Sequence, residues 1–336
     1  MIELRDRPIF ICGHPKSGTS LLRNLLDFHP QLVVYPEESR FFRQFLPLAK
    51  DALPAERIEL AEQHLIHLFQ WNREHPPAHQ IGFEDRDYSW ISYSKVEARL
   101  TARIEQETVR HLGDYLSASV LAFNDVVSPP DADPVWWVEK TPYNEYYARW
   151  IFKWWPQARC IHVVRDPCDN YTSYRRKQPD WSVEFFATNW LKSILAGQKN
   201  QRIFGKDRYW ILRYEDLVLQ PERILIQLLN FLEIEDHFAL RTPTRAGLNW
   251  EGNSMFNETF EGISTSPVGR WKSELRRHEA AIIQLVAKKT AKQFGYPVDT
   301  RKGIADLYKA AVWQLRMKAY YMKRGTKPED IHSEGL

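Results

Sequence analysis

The chain holds 336 residues, 43% hydrophobic and 26% charged, with 46 basic side chains against 43 acidic and a formal charge of +3. That length buries a large core as one α/β domain or two smaller ones, and the composition excludes a disordered or fibrous chain. The near balance of charge gives no ground for a nucleic-acid partner, although it leaves room for local anion sites.

Taken in chain order, Met1–Arg7 has mixed charge and no signal-peptide core, and no apolar run is long enough to cross a bilayer. Cys12, Cys160 and Cys168 are few and unevenly spaced, which suits a reducing compartment and a cytoplasmic location. Short runs that are apolar on both faces predict buried parallel strands at Pro8–Gly13, Leu32–Tyr35, Val135–Glu139, Arg159–Arg165 and Arg208–Tyr214. Helical spacing predicts helices over Thr19–Phe28, Glu37–Ala49, Ala55–Arg73, Ser94–Asn124, Asn144–Trp154, Cys168–Lys177, Val183–Phe204, Pro221–Leu232, Glu279–Phe294 and Ile304–Lys323. Strands alternating with helices imply βαβ units, hence an α/β fold with a P-loop-like parallel sheet flanked by helices. The strand-free stretch of about 51–134 is expected to be a helical insertion within a domain of residues 1–300. Residues 301–336 then form a basic amphipathic helix and tail. Ile304, Leu307, Tyr308, Ala311, Val312, Leu315 and Met322 mark its apolar stripe. Docking on its own domain is the expected use, with peripheral membrane contact as a second.

The first strand runs into Gly13-His14-Pro15-Lys16-Ser17-Gly18-Thr19-Ser20 and then a helix. Such a turn points backbone N–H groups at one place, and the helix N-terminus adds partial positive charge, so an anion is expected there. The frame Gly13-x4-Gly18 is that of a Walker A loop, but Thr19 stands where Walker A needs Lys. The lysine lies at Lys16 instead, which implies a smaller anion than a triphosphate and no resident metal. His64 and His67 are spaced like ligands, but no Cys or carboxylate cluster accompanies them. The strand ending in Arg165-Asp166-Pro167 places a guanidinium where α/β sheets bind ligands, with Ser173 two helical turns further on. His162, mid-strand in an apolar run, is expected to be a core histidine, and His29, before Pro30, a helix-end cap.

Pro15-Lys16-Ser17-Gly18-Thr19-Ser20-Leu21-Leu22 resembles the 5′-phosphosulfate loop of the sulfotransferase superfamily that uses 3′-phosphoadenosine 5′-phosphosulfate (PAPS). The resemblance implies that Lys16, Ser17, Gly18, Thr19 and Ser20 hold the phosphosulfate. The Arg165–Ser173 segment resembles the superfamily's 3′-phosphate motif and gives Arg165 and Ser173 that role. Leu212-Arg213-Tyr214-Glu215-Asp216-Leu217 and Gly269-Arg270-Trp271 resemble two further segments of these enzymes. They imply that Tyr214, Gly269, Arg270 and Trp271 contact the nucleotide. Together the motifs cover roughly residues 8–50 and 135–295.

Glu139-Lys140-Thr141-Pro142 looks like the element that brings a catalytic lysine in tyrosylprotein sulfotransferases, and Pro36-Glu37-Glu38-Ser39-Arg40 like the one that supplies their base. By that match the catalytic set is Lys16, Glu38 and Lys140, with Glu37 as the alternative base. Arg40 binds an acidic or sulfated acceptor or pairs with Glu37. The implied activity is transfer of a sulfuryl group from PAPS to a hydroxyl or amine, on a carbohydrate, protein or small molecule. A P-loop nucleotide kinase and a non-catalytic binding protein for nucleotide or acidic glycan are the alternatives.

Overall fold

The computed structural model describes residues 3–67, 69–70 and 88–298, together with position 312. The helix expected over Ile304–Lys323 and the end of the one expected over Ala55–Arg73 lie outside the described residues. Strands β1 (Pro8–Cys12), β2 (Leu32–Val34), β3 (Trp136–Lys140), β4 (Arg159–Val164) and β5 (Tyr209–Arg213) form one parallel sheet in the order β2-β3-β1-β4-β5. Every residue of β1, β2 and β3 is buried, which is why these runs are apolar on both faces.

The helices are α1 (Thr19–Leu26), α2 (Phe45–Ala49), α3 (Pro54–Ala61), α4 (Tyr93–Gln106), α5 (Gly113–Asn124) and α6 (Ala148–Trp154), then α7 (Pro167–Lys177), α8 (Val183–Phe204), α9 (Tyr214–Leu219), α10 (Pro221–Leu232), α11 (Trp271–Glu274) and α12 (Arg277–Gln293). Phe10 and Trp137 point into a cluster shared with α2, α5 and α6, where Trp155 meets both rings edge-on or tilted. Ile9, Ile11 and Val138 face the other layer, against α1 and α10. This is the alternation of a strand with two covered faces.

Two expected helices are corrected. The one over Glu37–Ala49 begins only at Phe45. Residues 37–40 stay irregular because β3 and the residue after it claim their polar groups: the Glu139 carboxylate accepts from Ser39 N at 3.2 Å and Ser39 Oγ at 2.8 Å, and Thr141 Oγ1 accepts from Arg40 N at 3.2 Å. Arg40 is left at φ 49°. The continuous helix over Ser94–Asn124 is two helices. Asp114 Oδ2, in the first turn of α5, takes the N–H groups of Arg110 and His111 just ahead of that helix at 2.7 and 3.3 Å, which ties down the bend between the two helices.

The register aligns Ile11 with Lys140 and with Ile161, and Val164 with Arg213. The carboxyl ends of β3, β1, β4 and β5 therefore lie along one edge. The connection leaving β1 runs toward β2 and the one leaving β3 runs the other way to β4, so the strand order reverses beside β1, the position at which such sheets bind ligands.

Candidate functional site

The loop after β1 is shaped by three positive φ angles: Gly13 at 130°, Lys16 at 65° and Gly18 at 98°. A Cβ on Gly13 would stand 2.4 Å from Val163 O, and one on Gly18 2.3 Å from Tyr214 Cδ2. The loop is braced from beneath. Asn170 Nδ2 donates to Pro15 O at 3.2 Å, and buried His14 contacts Pro15 O at 3.0 Å. Burial lowers the His14 pKa to about 4, so its ring is neutral at physiological pH. Gly18→Ala is expected to cost about 1–3 kcal/mol and to displace Tyr214. A lower thermal midpoint, with anion binding lost in calorimetry, checks it.

Arg165, at the end of β4, reaches across this loop. Its Nη1 donates to Lys16 O at 3.1 Å and lies 3.5 Å from Ser173 Oγ, while Nη2 donates to Pro267 O at 2.9 Å. The guanidinium sits 4.7 Å from the Tyr214 ring centroid. Arg165 thus touches the Lys16 main chain, Ser173 and Tyr214 at once. Lys16 Nζ donates to Asn253 O at 3.0 Å, so the segment after the short strand Leu248–Asn249 also reaches the loop. Gly269 N and Trp271 N both donate to Asp169, at 2.6 and 2.8 Å. The Trp271 ring is partly buried against the cluster of α7, α8 and α12. Arg270 is engaged by the Glu258 carboxylate at 2.7 Å and lies 4.3 Å from the Phe256 ring centroid.

On the β2–β3 side, Lys140 Nζ donates to Glu38 Oε1 at 2.6 Å. The lysine side chain is 3% exposed and the glutamate 22%. Burial alone would raise the Glu38 pKa, but the adjacent Lys140 ammonium, aided by Lys177 and Arg40, holds it at about 2. Burial in turn lowers the Lys140 pKa, against the pull of Glu38. Glu37 points away into a buried cluster: Tyr88 Oη donates to it at 2.6 Å and Arg245 Nη1 lies 3.9 Å off. The two carboxylates therefore differ in partner, and Glu38 is the one beside Lys140. The expected Arg40–Glu37 pair is corrected: Arg40 Nε lies 4.0 Å from Glu38 Oε2. His29 joins loop backbone, accepting from Gln31 N at 3.1 Å and meeting Glu235 O at 3.0 Å. His162 is a buried core residue against Tyr209 Oη at 3.0 Å, as its apolar surroundings imply.

Sequence reasoning missed Glu145, which takes Gly13 N at 3.0 Å and the hydroxyl of Ser193. Burial raises its carboxyl to about 7. A folded pKa above the unfolded one means stability that is fully present below about pH 4.5 and is lost as pH rises through about 7. Glu145→Gln mimics the neutral form. It is expected to remove up to about 3 kcal/mol of the wild-type stability loss between pH 5 and 8, as read by urea denaturation.

Among the described residues no helix is long and apolar enough to cross a membrane, and no group of three or more His, Cys, Asp or Glu is placed to hold a metal ion. The sequence pattern of the Sulfotransferase family matches residues 8–238. The chain is 24% identical over 238 residues to the protein-tyrosine sulfotransferase of Drosophila melanogaster, covering 68% of this chain and 39% of that protein. It is 25% identical over 260 residues to the omega-hydroxy-beta-dihydromenaquinone-9 sulfotransferase of Mycobacterium bovis, covering 69% and 64%. It thus spans less than two thirds of the length of both relatives. The solved sulfotransferase domain from the Synechococcus olefin synthase superposes with a TM-score of 0.58 at 22% identity, over 87% of this chain and 96% of that domain. That likeness is one of fold.

Proposed function

The chain belongs to the sulfotransferase family, and from that premise we propose that it transfers a sulfuryl group from PAPS to a hydroxyl or amine of an acceptor. The observation that carries the donor reading is the contact of Arg165 with the Lys16 main chain at 3.1 Å. It sets the Arg165 guanidinium against the loop that carries Lys16, which suits a nucleotide phosphorylated at both ends of its ribose. Two further features fit the group. Ser17 Oγ and Arg165 Nε are buried donors with no hydrogen-bond partner among the described residues. Both Nη atoms of Arg165 meanwhile rest on neutral carbonyls, weaker acceptors than phosphate oxygens.

In this reading Lys16, Ser17 and the N–H groups of Gly18–Ser20 hold the phosphosulfate, and Arg165 and Ser173 hold the 3′-phosphate. Tyr214 and the Gly269–Trp271 segment flank the nucleotide. PAPS supplies an activated sulfuryl group whose leaving oxygen Lys16 neutralises. Lys140 stabilises charge on the transferring group, and Glu38 takes the acceptor proton. No metal is required, because the sulfuryl group carries less charge than a phosphoryl group. The site occupies residues 1–300, with 301–336 as an appended tail. The few cysteines, Cys12, Cys160 and Cys168, all buried, suit a reducing, cytoplasmic setting.

Thermal-shift titration with 3′-phosphoadenosine 5′-phosphate (PAP) against ATP with Mg²⁺, followed by an acceptor screen with labelled PAPS, tests the proposal. Stabilisation by PAP and label transfer are expected. Preference for ATP would reject it in favour of a kinase.

A further inference from the structure

Asp169 lies within the Arg165–Ser173 segment but has no role in the donor reading, yet it ties that segment to the Gly269–Trp271 segment. Its side chain is buried, at 1% exposure, in the first turn of α7, one turn before Ser173. Asp166 caps that turn, accepting from Cys168 N at 2.7 Å and Asp169 N at 3.2 Å, so the carboxylate of Asp169 is presented from a fixed backbone. Each of its oxygens takes one N–H of the distant Gly269–Trp271 segment, Oδ2 from Gly269 at 2.6 Å and Oδ1 from Trp271 at 2.8 Å. Arg165 holds the same segment from the other side through Pro267 O. Gly269 adopts φ 76°, a left-handed conformation that aims its N–H at the carboxylate.

We propose that Asp169 is the positioning residue that moors the Pro267–Trp271 segment over the donor's 3′-phosphate, an inference that rests on the donor reading above. Coulomb's law alone argues the reverse role, since a carboxylate beside an anion site repels the anion. Replacing it by a neutral isostere would then tighten binding. The mooring role predicts weaker binding, because Asn offers one acceptor oxygen to two N–H donors and turns an NH₂ group toward the other. The two roles therefore differ in sign.

The experiment measures PAP and AMP affinities calorimetrically in the full chain and in Asp169→Asn, with backbone hydrogen exchange across 265–273 in both. Asp169→Asn is expected to weaken PAP binding by about 10–100-fold, AMP binding much less, and to speed exchange at Gly269 and Trp271. In the ligand-free wild type both amides are expected to be protected already. Equal or tighter PAP binding in Asp169→Asn overturns the inference. So does fast exchange of these two amides in the unliganded wild type, a result that needs no variant to fold. Failure of the wild type to bind PAP is a separate outcome: it rejects the donor reading first, and the mooring role with it.

Discussion

Arg165→Ala is expected to weaken PAP binding by about 10²–10³-fold, the cost of removing a charge-assisted two-point contact with a phosphate from a buried site. The side chain is 5% exposed and lies against the Tyr214 ring, which fixes its plane. Little of the lost contact can be replaced by water or by a mobile neighbour. The substitution also removes the hydrogen bonds to Lys16 O and Pro267 O, so some loss of affinity would follow from loosening the loop alone. The ratio of PAP to AMP affinity separates the two effects. AMP lacks the 3′-phosphate, so a loosened loop weakens both ligands, whereas loss of the 3′-phosphate contact drives the ratio toward one. Arg165→Lys keeps the charge without the planar fork and is expected to fall between wild type and Ala. An unchanged ratio in Arg165→Ala would leave Arg165 as scaffold.

The framework of this site was legible because it is written in short-range patterns. A buried strand followed by Gly13-x4-Gly18, and another followed by Arg165-Asp166-Pro167, announce a parallel sheet with both loops at its carboxyl edge. The observed register puts those two ends beside each other. What failed was local propensity where tertiary partners intervene. Glu37–Arg43 has the composition of a helix start, but the buried Glu139 carboxylate on β3 captures the polar groups of Ser39, residues remote in sequence. The break between α4 and α5 carries no proline; it comes from Asp114 collecting neighbouring N–H groups and pairing Arg110, which also reaches Asp6 at 3.1 Å. Asp169 and Glu145 escaped notice for a related reason. Each acts on backbone N–H groups about a hundred residues away, and a backbone donor leaves no residue-type signature.

Glu38→Gln and Lys140→Ala are each expected to lower kcat by about 10²–10⁴-fold, the usual span for removing a general base or a charge-stabilising group. Their coupling is the sharper test. A carboxylate held at about 2 is ionised at every physiological pH but is a weak proton acceptor. Lys140 is the strongest of the influences holding it down, against burial that pushes it up. Turning the ammonium toward charge on the transferring group therefore strengthens the base when it is needed. Two results follow. In Lys140→Ala the acid limb of kcat/KM is expected to move upward into the measurable range, because burial then acts on Glu38 without its main counterweight. The double variant is expected to lose little beyond the worse single one, since either substitution already disables the exchange. Multiplicative losses, with an acid limb that stays put in Lys140→Ala, would show the 2.6 Å pair to be a structural salt bridge, and the proton acceptor would then have to be sought elsewhere.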